Sequence, residues 1–136
     1  MIVFLSCAKT KRDVPCKARD MYTSDLFVKS YAYAESLRPD KIYILSAKYG
    51  LLKPGDMIEP YEQTLVGANV NTCKRWAVMV YKQMLADGVN FNDNAIFLCG
   101  ENYRKYLMTK FPNGTAPLKN LGIGMQKKFY AEKLKK

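Results

Sequence analysis

Three short apolar runs constrain this chain more than any other feature: Ile2 to Ser6, Ile42 to Ser46 and Ala95 to Cys99. Each is rich in Ile, Val, Leu or Phe and closes on a small or polar residue, the pattern of strands buried on both faces. Helical patterns lie between them. Ser24 is placed as a cap with Asp25 in the first turn, and Phe27, Tyr31 and Ala34 share one face before Pro39. Thr72 to Asp87 carries Cys73, Trp76, Ala77, Val80 and Met84 along a stripe, with Gly88 as its stop. Glu101 to Phe111 reads as a third helix and Gly124 to Lys136 as a basic closing helix. Leu118, behind a proline that cannot donate to a ladder, is assigned to a short edge strand. Strands alternating with helices predict an α/β fold, a single three-layer α/β/α Rossmann-like sandwich with a mainly parallel sheet.

The chain has 136 residues, nearly half of them apolar, so one domain with a substantial core is expected. Twenty-two Lys and Arg stand against twelve Asp and Glu, leaving a formal charge of +10. Such a surface attracts nucleic acid, nucleotides or acidic proteins. No apolar stretch is long enough to span a membrane, and Met-Ile-Val-Phe-Leu lacks the basic start of a signal peptide, so a cytoplasmic protein is expected. Cys7, Cys16, Cys73 and Cys99 show no CxxC spacing and are expected to be reduced. The chain contains no histidine, which excludes a Ser-His-Asp triad, a Cys-His pair and His-based zinc sites within it. No metal and no cofactor are expected. Acid-base chemistry falls to carboxylates, Lys, Tyr, Cys or water.

Ligands of open parallel sheets gather outside the carboxyl ends of the strands. That rule selects three segments. Ser6, Cys7, Lys9, Thr10 and Lys11 concentrate hydroxyls and cations behind the first strand, as an anion-binding edge requires, although the segment lacks the glycines and GK[ST] ending of a Walker loop. Behind the second strand, Ser46, Lys48, Tyr49 and Gly50 open a long stretch to Leu65 without a clear helix or strand, of a length usually functional in compact domains. Tyr49 and Tyr61 there can stack on a base or simply pack the loop onto the sheet, and Glu62 is the best-placed carboxylate for activating water. Behind the third, Gly100 and Glu101 begin a helix whose amides can meet an anion. Cys7 and Cys99 read as structural thiols. Lys127, Lys128, Lys133, Lys135 and Lys136 form either a phosphate-attracting or a simply solvated helix face.

The segments "SCAKTK", "YTSDLF", "LSAKYGLL" and "PYEQTL" together resemble a group of small bacterial and phage proteins of largely uncharacterised function. Those proteins carry SCxKTK, Tyr-x-Ser-x-x-Phe, LSAKYGLL and PYxxTL motifs. "KYGLL" and "PY" are more distantly similar to the YaaA peroxide-stress proteins, and the SCxKTK strand end to the uracil-DNA-glycosylase-like domain of archaeosine-forming enzymes. The resemblance implies an α/β fold with a nucleobase or nucleic-acid theme.

The leading expectation is a domain that processes a nucleotide, DNA or RNA, with cleavage or exchange at an N-glycosidic bond as the coherent reaction. Glu62 and Lys48 are the candidate catalytic residues. Lys9 or Lys48 would hold phosphate, Tyr49 or Tyr61 would stack on the base, and Glu62 would position water or stabilise an oxocarbenium-like sugar. The alternatives are a non-catalytic DNA- or RNA-binding phage or stress-response protein, and a basic module that engages an acidic protein partner.

Overall fold

Apolar side chains leave both faces of the predicted strands, so the sheet needs cover on two sides. A computed structural model, which describes residues 1–135, supplies it. In chain order the elements are β1 (Ile2–Ser6), β2 (Cys16–Lys17), α1 (Ala18–Met21), α2 (Asp25–Ser36), β3 (Lys41–Ser46), β4 (Gly50–Leu52) and β5 (Met57–Ile58). There follow α3 (Val70–Ala86), β6 (Ala95–Leu98), α4 (Glu101–Arg104), a 3-10 turn at Met108–Lys110, β7 (Gly114–Thr115) and α5 (Ile123–Leu134). Five strands form one sheet in the order β4-β3-β1-β6-β7. All its pairings are parallel except that of β4 with β3.

β1 occupies the centre, and its residues alternate between two cores. Ile2 and Phe4 join Tyr43, Leu45, Trp76, Val80 and Phe97 on the face covered by α3 and α4. Val3 and Leu5 join Ile44, Leu98, Phe27 and Tyr130 on the face covered by α2 and α5. The result is the expected mainly parallel α/β/α sandwich. Burying each large apolar side chain contributes about 1.5–3 kcal/mol, so the two cores together dominate the stability.

The helices start where their caps stand. Ser24 Oγ accepts from the Phe27 N–H at 3.2 Å and Asn69 Oδ1 from the Thr72 N–H at 2.8 Å. Gly88 follows α3 with φ +73°, a left-handed conformation that suits glycine.

Three expectations change. The stretch after Ser46 does contain strands: β4 folds back on β3 with Ser46 opposite Gly50, and β5 pairs with β2 in a small two-stranded sheet. Pieces of two or three residues carry too little period to be read from sequence. The edge strand is Gly114–Thr115 instead of a segment at Leu118, whose side chain is buried in the α2–α5 core. Glu101 to Phe111 is one α-helical turn, a hydrogen-bonded turn and a 3-10 turn, so that Tyr103, Leu107 and Phe111 reach the same core. The basic C-terminal helix is present as α5; Lys136 lies outside the described residues. Among the described residues no helix is long and apolar enough to cross a membrane.

Candidate ligand-binding crevice

The carboxyl ends of β1 and β3 lie side by side, with Ser6 opposite Leu45 and the Cys7 N–H donating to the Leu45 carbonyl at 2.9 Å. The two Leu-Ser echoes therefore end neighbouring strands at one edge, yet their side chains do different work. Ser46 has no exposed surface. Its Oγ accepts from the Tyr49 N–H at 3.0 Å, closing the turn, and donates to the Tyr61 hydroxyl at 2.9 Å. The Tyr61 and Tyr22 hydroxyls are 2.6 Å apart, and the Trp76 indole N–H donates to the Ser46 carbonyl at 2.9 Å. Burial is the main cause that pushes the Tyr22 and Tyr61 phenols far above the ordinary tyrosine range, so both stay neutral hydrogen-bonding groups.

Tyr49, Gly50 and Lys48 belong to the same buttress. Gln83 of α3 donates through Nε2 to the Tyr49 carbonyl at 3.0 Å and accepts through Oε1 from the Leu51 N–H at 2.8 Å. The Tyr49 hydroxyl accepts from the Glu59 N–H at 3.1 Å, and its ring meets Tyr61 edge to face at 5.7 Å. Gly50 has φ +75°, and a Cβ there would collide with Gln83 Oε1. Lys48 is exposed, its ammonium 5.2 Å from the Tyr49 ring centre. None of Ser46, Lys48, Tyr49, Gly50 and Tyr61 lines the cavity that the neighbouring loop builds.

That cavity, of about 260 Å³, lies between the Ser6–Lys11 loop and the segment after Tyr61. Its wall includes Cys7, Lys9, Lys11, Glu62, Thr64 and Tyr103. Lys11 rests with its ammonium 3.2 Å from the Lys9 carbonyl and 4.6 Å from the Tyr61 ring centre. The buried Tyr61 is thus a platform under Lys11, with its ring face occupied by the cation. Lys9 and Glu62 are exposed at the rim. Thr10 is exposed outside the lining; its carbonyl accepts from the Thr23 N–H at 3.1 Å and straps the loop to the segment before α2.

A second cavity, also about 260 Å³, shares Cys7, Ala8, Val66 and Tyr103 with the first. It continues over Ser6, Gly100, Ile123, Gln126 and Tyr130, and its wall is mostly apolar. At the partition, Cys7 Sγ donates to the Tyr103 hydroxyl at 3.2 Å, which also accepts from the Leu65 N–H at 3.1 Å. Burial first, and then neighbouring Cys7, raise the Tyr103 phenol above its ordinary range. The Gly100 N–H donates to Ser6 Oγ at 3.4 Å. α4 is a single turn, and the amide of its cap residue Gly100 is taken up by this loop-to-loop tie.

Cys99 is buried with its thiol donating to the Phe4 carbonyl at 3.2 Å, and burial pushes that thiol up. It behaves as the structural cysteine expected, whereas Cys7 lines both cavities. All four cysteines are free thiols.

Sequence reasoning gave Tyr103, Thr64 and Gln126 no role in the site, although Tyr103 closes the third selected segment, Cys99 to Tyr103. Tyr103 had a signal, since it stands one helical turn after Gly100 at a strand end already selected. Thr64 lies in the PYxxTL segment. Gln126 comes from α5, whose placement across the crevice no local pattern announces.

Two cations and a carboxylate thus open into one compartment and an apolar compartment lies next to it, at the carboxyl edge of an open sheet. The carboxyl edge is where doubly wound α/β domains in general gather their ligands. The chain belongs to the family described as a family of unknown function, DUF6884, whose match covers residues 2–132. No curated protein matches it.

Proposed function

We propose that this crevice binds a nucleotide, free or within DNA or RNA, and that the protein acts at its N-glycosidic bond. The observation that carries this reading is the shared wall of two unlike cavities, one bearing Lys9, Lys11 and Glu62, the other mostly apolar. A nucleotide has the matching polarity. Phosphate would sit at Lys9 and Lys11, as point-charge partners, and the base in the apolar compartment over Ile123 and Tyr130. The sugar would then lie at the partition, with Glu62 reaching it from the rim of the cationic compartment. In hydrolysis the water oxygen bonds to the anomeric carbon, Glu62 takes a water proton, and the C–N electron pair leaves with the base, which solvent protonates. Lys48 stands outside this arrangement, and Tyr49 and Tyr61 support the loop instead of stacking on the base. A nucleobase theme is also what the motif resemblance of "KYGLL" and "PY" to YaaA proteins, and of the SCxKTK strand end to glycosylase-like domains, would imply.

Base release from a panel of nucleosides, nucleotides and single-stranded oligonucleotides, followed chromatographically, tests the proposal. Glu62→Gln is expected to cut turnover about 100-fold or more while leaving affinity within about twofold. Unchanged turnover would remove Glu62 from the chemistry. One observation favours a second reading, a non-catalytic nucleotide- or nucleic-acid-binding protein: Glu62 is exposed, and among the described residues no hydrogen bond orients its carboxylate. That reading predicts saturable, Lys9- and Lys11-dependent binding with no base release from any member of the panel.

A further inference from the structure

A third cavity lies apart from the crevice, between α3 and the segment from Tyr106 to Lys110. It encloses about 310 Å³ and is lined by Lys74, Val78, Tyr81, Tyr106, Thr109 and Lys110 among others, with no residue in common with either crevice compartment. Lys74, Val78 and Tyr81 repeat at helical spacing beside Ala77 of the buried stripe, so α3 shows this groove the face that flanks that stripe. Val78 is 53% exposed.

The chemistry of the groove is specific. Lysine ammonium groups sit over both tyrosine rings: Lys110 is 4.8 Å from the Tyr81 centre, and Lys74 and Lys105 are 5.6 and 5.7 Å from that of Tyr106. Phe91 backs Tyr81 at 5.4 Å. No carboxylate lines the groove, and among the described residues none of the three lysines is in a salt bridge. Ring faces that hold a mobile ammonium are ring faces open to a base, and the displaced ammonium is then free for the adjacent phosphate.

We infer that this groove binds single-stranded nucleic acid, with bases on Tyr106 and Tyr81 and the backbone along Lys74, Lys105 and Lys110. A second copy of this chain, carrying the same cluster of lysines, would be repelled. A duplex hides its base faces, so it would leave the tyrosines unused. An acidic peptide would use the lysines alone. The inference stands independently of the chemistry proposed for the crevice, and it predicts that strands bind more tightly than mononucleotides.

Fluorescence anisotropy with a labelled oligothymidylate, an abasic strand of equal length and a duplex tests it. Lys74→Glu/Lys110→Glu, at two exposed positions, is expected to weaken oligothymidylate binding at least tenfold and to flatten the log–log salt slope by about 1.4. Mononucleotide affinity and the circular-dichroism spectrum should not change. Tyr106→Leu, which keeps the charge, should weaken oligothymidylate at least about fivefold and leave the abasic strand unaffected. Oligothymidylate affinity unmoved by the double reversal would overturn the inference. So would an abasic strand, a duplex or polyglutamate that binds as tightly and is lost on the same substitutions. Loss of base release in Glu62→Gln with strand binding intact would separate the crevice from the groove.

Discussion

Ser6-Cys7-Ala8-Lys9 and Ser46-Ala47-Lys48-Tyr49 begin with nearly the same text at adjacent strand ends, but one borders the crevice and the other packs beneath it. Ser6 is half-buried, lines the apolar compartment and accepts a long bond from Gly100. Ser46 is enclosed and joins Tyr49, Tyr61 and, through its carbonyl, Trp76. The difference arises from the neighbours. β1 is central, so its loop opens over the middle of the sheet, whereas β3 is followed by β4, which folds back and lets α3 clamp the turn through Gln83. Similar local sequence at a strand end thus sets backbone exit, while the next element sets whether the side chains face solvent or core.

The largest blow to the supporting loop is expected from Tyr61→Ala. Removal of a buried aromatic that also satisfies Tyr22 and Ser46 should cost about 3–5 kcal/mol in urea unfolding. A loss under about 1 kcal/mol would show that the Tyr22–Tyr61–Ser46 cluster is not structural.

Alkaline titration addresses the same cluster. The folded phenols of Tyr22 and Tyr61 are raised by burial, so the unfolded chain loses its protons first. Their contribution is intact below pH 10.0 and falls as pH rises above it. Each phenol held neutral lowers stability by up to about 1.4 kcal/mol per pH unit in that window. Tyr22→Phe should make the fall shallower, and an equal slope would contradict the burial argument.

Hydroxyl deletion is the direct contrast between the echoes. Ser46→Ala leaves the Tyr49 amide and the Tyr61 hydroxyl short of a partner and should cost about 1–3 kcal/mol. Ser6→Ala should stay within about 1 kcal/mol, because its one bond is long and its surroundings are partly solvated. Equal losses would erase the distinction between wall and buttress.

The smallest changes in stability separate the lysines. Lys9→Ala and Lys48→Ala, both at exposed positions, should each stay within about 0.5 kcal/mol. Nucleotide titration should nevertheless show about a tenfold loss for Lys9→Ala and none for Lys48→Ala. The reverse pattern would return the ligand to the second strand end.

Much of the scaffold is legible in the residues themselves. Ile2–Ser6, Ile42–Ser46 and the run from Ala95 are too apolar for any position but the middle of a covered sheet, and Ser24 and Gly88 mark helix ends by local chemistry. The site is only half legible. Ser6, Cys7, Lys9, Lys11 and Glu62 are recoverable because strand ends and motif loops are natural places for a ligand. Tyr49, Gly50 and Tyr61 carry the same marks but pack beneath the loop, and Lys48 is exposed outside the cavity, a distinction that depends on Gln83, Trp76 and Tyr22, distant in the chain.

The sequence by itself determined the strand and helix alternation, the two-faced core and the carboxyl edge where ligands gather, because period and capping are local properties. Tertiary structure alone decided which of two similar loops opens into a cavity, placed Tyr103 and Gln126 along the crevice, and set Tyr81 and Tyr106 beneath lysines that make no salt bridge among the described residues. Those outcomes depend on packing between segments far apart in the chain, where burial and hydrogen-bond satisfaction are settled by neighbours that no local pattern names.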